Sequence, residues 1–536
     1  MKRLALAVFF APILIGSTIV HPVNSPWPAT TQHVSTAAAL IAAATTDYPQ
    51  GIWRDDYASG IGAPPVLYKP GDSACSLNAG VGDGGWQLPS ADGKCWLAVL
   101  SRENDIREWG ADPTASRDSS VAFNACLSAV SPGGICYAGG HNYLLSGNVT
   151  IPSATTVDCG GLFDAENNSS NSFATYPALK LYSSKTIEAG GPNAAVRHCL
   201  IYPSGMSFPV PDPSVYSGIA LNDNGYSNFT VTDTIIVGFD TCIYSTGARP
   251  YLMHDYVDCN GVHHPAIYLD TGNTDSGYAW FLKLQPLGSW WGTGSPCTAL
   301  QRQGTGFATG PGKGSNGSGP SVYIGDIVSQ NFLGANFDFE SYAVAGGTLW
   351  ADTINGNVPN PNCNWGSSIG VKVGVNTRLI ANNVIINGGL VGLQLLGNGG
   401  TTEINHLSIS NTGGDGLQLG DANNSGNLLA GTLEIAQNGG HAVDVLHVNP
   451  ELVVSQKMWV GAGNGRTSGP PYITASGAGS GGGATTIYNV GPSCGFQINY
   501  LEVDYNNVST SPFDPRYFNA PTTCNNNGAR QSWVHP

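Results

Sequence analysis

Charge is what this sequence has least of: Asp, Glu, Lys and Arg together make up 11% of its 536 residues. Basic residues are scarcest, with 21 Lys and Arg against 36 Asp and Glu, and the formal net charge is −15. That excludes nucleic acid as a partner, because its phosphates require a basic surface. A polyanionic ligand is disfavoured as well unless a cation bridges it to the protein, so the balance leans towards neutral or weakly charged ligands. No CxxC pair occurs among the 12 cysteines, which removes zinc-ribbon and thioredoxin-like readings. Beyond the N-terminus, no stretch is apolar enough to cross a bilayer. The composition is also poor for helix bundles: 72 Gly and 34 Pro, with abundant Ser, Asn and Thr, favour turns and caps over helix interiors.

What is present begins with Lys2 and Arg3 ahead of an apolar run from Leu4 to Val20. Residues 1–24 are therefore expected to be an export signal, with an uncleaved anchor as the alternative. The destination is secreted or periplasmic, and the cysteine content agrees with an oxidising compartment. Proximity suggests three disulfides, Cys75–Cys95, Cys126–Cys136 and Cys494–Cys524.

Residues 25–50, rich in Ala and Thr, read as flexible or weakly helical, and 51–100 as a small module with Trp86 and Trp96 in its core. A short helix follows, capped by Asp118 or Ser119, with Val121, Ala122, Ala125, Cys126 and Leu127 at helical spacing. The clearest pattern lies between Asn376 and His447. Ile385 and Ile409, Asn387 and Asn411, Gly389 and Gly413, Leu393 and Leu417, and Leu395 and Leu419 are each 24 apart. The next unit is longer, since Leu417 and Val443, and Leu419 and Val445, are 26 apart. Each unit reads strand, Gly-containing turn, strand, polar loop. Stacked coils explain this: inward apolar residues meet their equivalents one rung away, and turn Asn residues form a hydrogen-bonded ladder. A leucine-rich repeat lacks support here because its strand–helix signature is missing, and a β-sandwich with Gly-rich turns is the remaining alternative. Earlier coils are less regular, with Asp233 aligned to Asp255 at 22 and Ile243 to Ile267 at 24. The expected fold class is thus all-β, a right-handed parallel β-helix over 101–460. A Gly-rich linker at 461–483 and a strand-rich C-terminal cap at 484–536 complete the chain.

The segment IREWGADPTASRDSSVAFNACLSAV, with the Tyr137–Gly147 strand and NVTIPSATTVDCGG, resembles the opening of the pectate-lyase-superfamily β-helix domain. Trp109 stands for the usual aromatic of its entry motif, and Ala138 to Tyr143 for its Pro-Ala-Gly-Thr-Tyr element. GDGGWQLPSADGKCW resembles the leader that precedes this domain in bacteriophage tailspike depolymerases. The resemblance, over about residues 62–450, implies a β-helix and a polysaccharide partner, but fold alone does not choose a reaction. It also implies a homotrimer, for which the sequence carries no trimerisation signature. The polygalacturonase residue set does not transfer: Gly413 to Gly416 and Gly370 to Val373 echo it faintly and in the wrong order.

A glycoside hydrolase needs two carboxyl groups, about 5 Å apart for retention or about 6.5–9.5 Å for inversion. In FDFE, Phe337 and Phe339 are expected inward, leaving Asp338 and Glu340 outward as a catalytic pair in register with Gln394, Gln418 and Asp444. In MHDYVDCNGVHH, Asp255 and Asp258 form a second candidate pair, with Asp233 one coil below Asp255. His254 and His264 are expected to position substrate, Gln394 and Gln418 to bind it, and Trp290 and Trp291 to stack on sugar rings. For both acidic groups the alternative is an ordinary solvated face or turn. Asp240 and Asp415 read as turn formers. No metal ligand set or cofactor is expected, except Ca²⁺ if the reaction is elimination. Hydrolysis leads. The alternatives are a lyase of the same fold, disfavoured by the scarcity of basic residues, and a non-catalytic surface adhesin.

Overall fold

The computed structural model describes residues 32–161, 177–182, 184–206, 218–259, 264–270, 277–280, 282–285, 304–309, 321–330, 332, 334–339, 347–357, 368–375, 377–396, 401–421, 426–445, 451–461, 473–474, 495–498, 500–504 and 530–535. Strand follows strand through these residues, and nearly every pairing beyond residue 100 is parallel. One ladder of 12 strands runs from Val149–Ile151 to Ile473–Thr474, and a ladder of 24 strands forms the remaining faces. This is a right-handed parallel β-helix.

Alternation along each short strand creates the interior. In the 12-strand ladder Val149, Ile187, Leu221, Ile243, Ile267, Phe307, Phe337, Val371, Leu393, Leu417 and Val443 stack in register. All are at most 1% exposed, so each rung buries its apolar face against neighbouring rungs and the other faces of the interior. Leu393, Leu417 and Val443 match the 24- and 26-residue repeat. Ile385 does not: Ile386 pairs with Ile409, while Ile385 pairs with Ser408 and is 38% exposed. The spacing along that strand is 23, and an extra residue enters at the following corner, where Asn411 has φ 56°. There Asn411 Nδ2 donates to Asn387 Oδ1 at 2.8 Å, forming the expected turn ladder. In the earlier coils Thr232 pairs with Met253, which sets Asp233 beside His254 rather than Asp255.

At the entry, helix Ser120–Val130 buries Ala122, Phe123, Cys126, Leu127 and Val130 against the first coils, whereas Val121 is 76% exposed. Asp118 accepts the Ser120 amide and hydroxyl at the helix start. The N-terminal unit begins earlier than residue 51. His33–Val34 pairs with Ile52–Arg54, and helix Ala37–Ile41 buries Ala37 and Leu40 in the core of this unit. It docks on the solenoid through Trp86 and Leu100, which pack on both cores, and through Arg107 Nη1 on the Gly62 carbonyl at 2.7 Å.

Cys75–Cys95 and Cys126–Cys136 are bonded as expected. Cys159–Cys199 and Cys242–Cys259 are additional. Cys494 and Cys524 lie outside the described residues. At the C-terminal end the ladder passes the expected limit of 460, because Gly495–Ile498, Tyr500–Asp504 and Arg530–His535 add parallel rungs. No helix among the described residues is long and apolar enough to cross a membrane.

Candidate functional site

The outward residues of the 12-strand ladder form a second row, parallel to the buried one. It runs Glu188, Asn222, Tyr244, Tyr268, Ala308, Asp338, Lys372, Gln394, Gln418, Asp444. Asp338 is therefore in register with Gln394, Gln418 and Asp444. Phe337 and Phe339 are fully buried, which turns Asp338 outward. Its Oδ2 receives Lys372 Nζ at 2.9 Å, and its Oδ1 is buried with no donor among the described residues. Glu340, Trp290 and Trp291 lie outside the described residues.

Polar side chains interlock at the far end of this row. Gln394 Nε2 donates to Gln418 Oε1 at 3.1 Å, and Gln418 Nε2 donates to Asp415 Oδ2 at 3.0 Å. The His441 amide donates to Asp415 Oδ1 at 2.7 Å, with His441 Nδ1 3.1 Å from the same oxygen. Asp444, 5% exposed, completes the group. One ligand atom each from Asp415, His441 and Asp444 lies within 4.8 Å of the other two.

Two consecutive turns position these side chains. Asp415 follows Gly413-Gly414 as His441 follows Gly439-Gly440, and Gln418 stands over Asp444. Gly416 permits the close approach, since a Cβ there would lie 2.7 Å from Ile435 Cγ2 and 2.8 Å from the Ala442 carbonyl. Burial pushes the Asp415 carboxyl up, but hydrogen bonds from His441 and Gln418 outweigh it and hold it below its ordinary value. The bond to Asp415 raises His441 above its ordinary value against the opposing effect of burial. Both shifts run the same way, towards an ionised Asp415 facing a protonated His441. Two carboxylates and an imidazole are a donor set of the right type for a divalent cation, although His441 Nδ1 is already engaged with Asp415.

Asp255 and Asp258 belong to the other ladder, at a corner of the solenoid. Asp255 is 1% exposed and accepts the amides of Thr234 at 2.9 Å and Met253 at 3.2 Å. Burial drives its carboxyl well above the usual range, and Asp233 adds to that. Asp258 is 2% exposed. His254 is outside this pocket, with Nδ1 3.4 Å from Asp233 Oδ1, and His198 Nε2 lies 3.8 Å from Asp233 Oδ2. His198, Asp233 and His254 all have left-handed backbones, φ 55°, 50° and 57°, so they line one corner of successive coils. His264 is on a different face from His254, its ring edge-on to Tyr244 in the outward row at 5.7 Å. The Asp240 Oδ2 accepts the His264 amide at 3.3 Å, as a turn former would.

The structure therefore brings Asp338, Gln394 and Gln418 onto one face and leaves Asp255, Asp258 and His254 elsewhere. Sequence reasoning did not join Asp415 to His441 and Asp444. The available signal was the 26-residue spacing, which superposes Asp415 on His441 as it superposes Gln418 on Asp444.

These features define a parallel β-helix protein with a polar outward row. No family model and no curated protein matches the sequence. Solved structures similar to it include full-length tailspike protein 2 of an Escherichia coli O157:H7 bacteriophage, at a TM-score of 0.44 and 11% identity over 80% of this chain and 51% of that one. The chain thus spans about half the length of that tailspike. A tailspike from an Acinetobacter baumannii bacteriophage, described as a capsular polysaccharide depolymerase, gives 0.42 and 12% over 81% and 71%. The catalytic unit of an α-1,3-glucanase from Streptomyces thermodiastaticus gives 0.37 and 12% over 70% and 73%.

Proposed function

We propose that this chain is an exported glycan-degrading enzyme, a glycoside hydrolase acting on the outward face of the 12-strand ladder. The observation that carries the reading is the Asp415–Asp444 pair, with carboxylate oxygens within 4.8 Å of each other beside His441. That separation corresponds to the spacing of about 5 Å used for retention of configuration. Asp415, kept ionised by His441 and Gln418, takes the nucleophile's role. Asp444, the more buried of the two, protonates the leaving oxygen. Gln394, Gln418 and Asp338 contact the glycan along the row. The four described disulfides support an oxidising destination.

The test is incubation of the purified chain with a panel of neutral and acidic exopolysaccharides. New reducing ends without the ultraviolet absorbance of an unsaturated uronate are expected. That absorbance would instead mean elimination, and binding without shortening would mean an adhesin. D415N and D444N are each expected to abolish cleavage without unfolding. If both retain it while D338N and E340Q lose it, catalysis belongs to Asp338 and Glu340 instead.

A further inference from the structure

The charges along the outward row are distributed unevenly. Lys372 is its only cation among the described residues, against the carboxylates of Glu188, Asp338 and Asp444. Its Nζ is held 2.9 Å from Asp338 Oδ2, so even that charge is met within the protein. The flanking His441 is met in the same way by Asp415, with Nδ1 3.1 Å from Oδ1. What the row offers between Lys372 and Asp444 instead is uncharged: the Gln394 and Gln418 carboxamides on adjacent rungs, joined at 3.1 Å.

Each carboxamide carries two N–H donors and a carbonyl with two lone pairs. Gln394 commits one N–H to Gln418, and Gln418 commits one N–H to Asp415 and one lone pair to Gln394. Each amide therefore keeps one N–H and at least one lone pair, a donor–acceptor set that a sugar hydroxyl matches. Because adjacent rungs are about 4.8 Å apart, the stretch from Asp338 to Asp444 is roughly 19 Å long, room for several linked rings lying along the axis.

We infer that the ligand of this face is an uncharged glycan lying parallel to the helix axis, and that Gln394 and Gln418 are its specificity-determining residues. The inference rests on the proposed glycan-degrading function and names its substrate class. A uronate or sulfate in this track finds no unneutralised cation among the described residues of the row and meets a chain of net charge −15. Rejection of charged chains thus comes from like charge, and acceptance of neutral ones from the amides.

The test is affinity electrophoresis of the full chain at low ionic strength against a neutral β-glucan, a neutral galactomannan, alginate and polygalacturonate. The two acidic polymers are also run after carboxyl reduction. Neutral and reduced polymers are expected to retard the protein, and the acidic parents to bind about tenfold more weakly or worse, with the gap shrinking as salt is added. Gln394→Lys should narrow that gap by about tenfold by leaving one cation in excess. Gln394→Met should weaken binding of the neutral polymers only. An acidic parent that binds as well as its reduced form overturns the inference, as does a gap unchanged by Gln394→Lys or binding to none of the polymers. Neutral polymers bound but never cleaved would sink the hydrolase reading and leave this one intact. Cleavage of an acidic polymer with its reduced form untouched would do the reverse.

Discussion

Two groups of aspartate and histidine stand on this solenoid, and they differ in what holds the carboxylates. At the corner, Asp255 is enclosed and its oxygens are taken by the backbone amides of Thr234 and Met253. Beside the outward row, Asp415 is held by the side chains of His441 and Gln418 together with one amide, and a second carboxyl oxygen lies within 4.8 Å. A carboxylate satisfied by backbone fixes the path of the chain. One satisfied by side chains keeps a chemical environment that a ligand can alter. The same residue types therefore divide into a structural anchor and a candidate reactive pair, and burial with donor identity separates them more sharply than sequence motif does.

The largest effects should come from exchanging roles between the two groups. Asp415→Asn is expected to lower kcat by at least about 10³-fold while leaving the melting temperature within a few degrees, because it removes charge without removing packing. Asp255→Ala should do the opposite. It strips two buried amides of their acceptor, at about 1–3 kcal/mol each, and lowers the melting temperature while the folded fraction retains its specific activity. Calorimetry paired with a reducing-end assay decides. An Asp255→Ala protein that melts normally but is inactive would invert the division.

The next effect concerns register. Leu417→Ala is expected to cost about 2–5 kcal/mol in denaturant unfolding, as for any large buried side chain cut back in a packed core. Ile386→Asp should prevent folding, whereas Ile385→Asp, one position away and exposed, should shift stability by no more than about 0.5 kcal/mol. Equal effects at 385 and 386 would contradict the observed pairing.

That last pair shows how far the sequence could be read. The coil period, the stacking of Leu393 on Leu417 on Val443, the outward turn of Asp338 and the Asn387–Asn411 contact all follow from alternation and spacing. The alignment of Ile385 with Ile409 does not hold, because a residue inserted at the Asn411 corner makes the turn repeat by 24 and the strand before it by 23. Asp233 was set against Asp255 for a similar reason: the local spacing there is 21. The Asp415–His441–Asp444 group was hidden because its members come from two rungs and two turn positions, and only three-dimensional stacking joins them.

A subtler effect is the pH dependence of the outward pair. His441 is raised in the folded state, so its contribution to stability is complete below about pH 6.5, the value of a free imidazole, and is lost as pH climbs through the higher folded value. Asp415 is lowered, so its contribution is present above about pH 3.9 and is lost as pH falls through the lower folded value. The difference in melting temperature between the native chain and Asp415→Asn should therefore be widest between those limits and should shrink towards alkaline pH. A difference constant from pH 4 to 9 would remove the ion pair from the account. A small effect is also expected at the corner ladder, where Asn411→Ala removes one amide contact worth about 0.5–1.5 kcal/mol.

All four disulfides among the described residues lie between Cys75 and Cys259, and two of them, Cys159–Cys199 and Cys242–Cys259, staple coils of the solenoid itself. The coils that carry Asp415 and Asp444 have no disulfide among the described residues. A solenoid melts like a zipper, rung by rung, because each coil leans only on its neighbours. The staples near the entry put a stop into this zipper, and reducing them should let those coils open as readily as any unstapled rung.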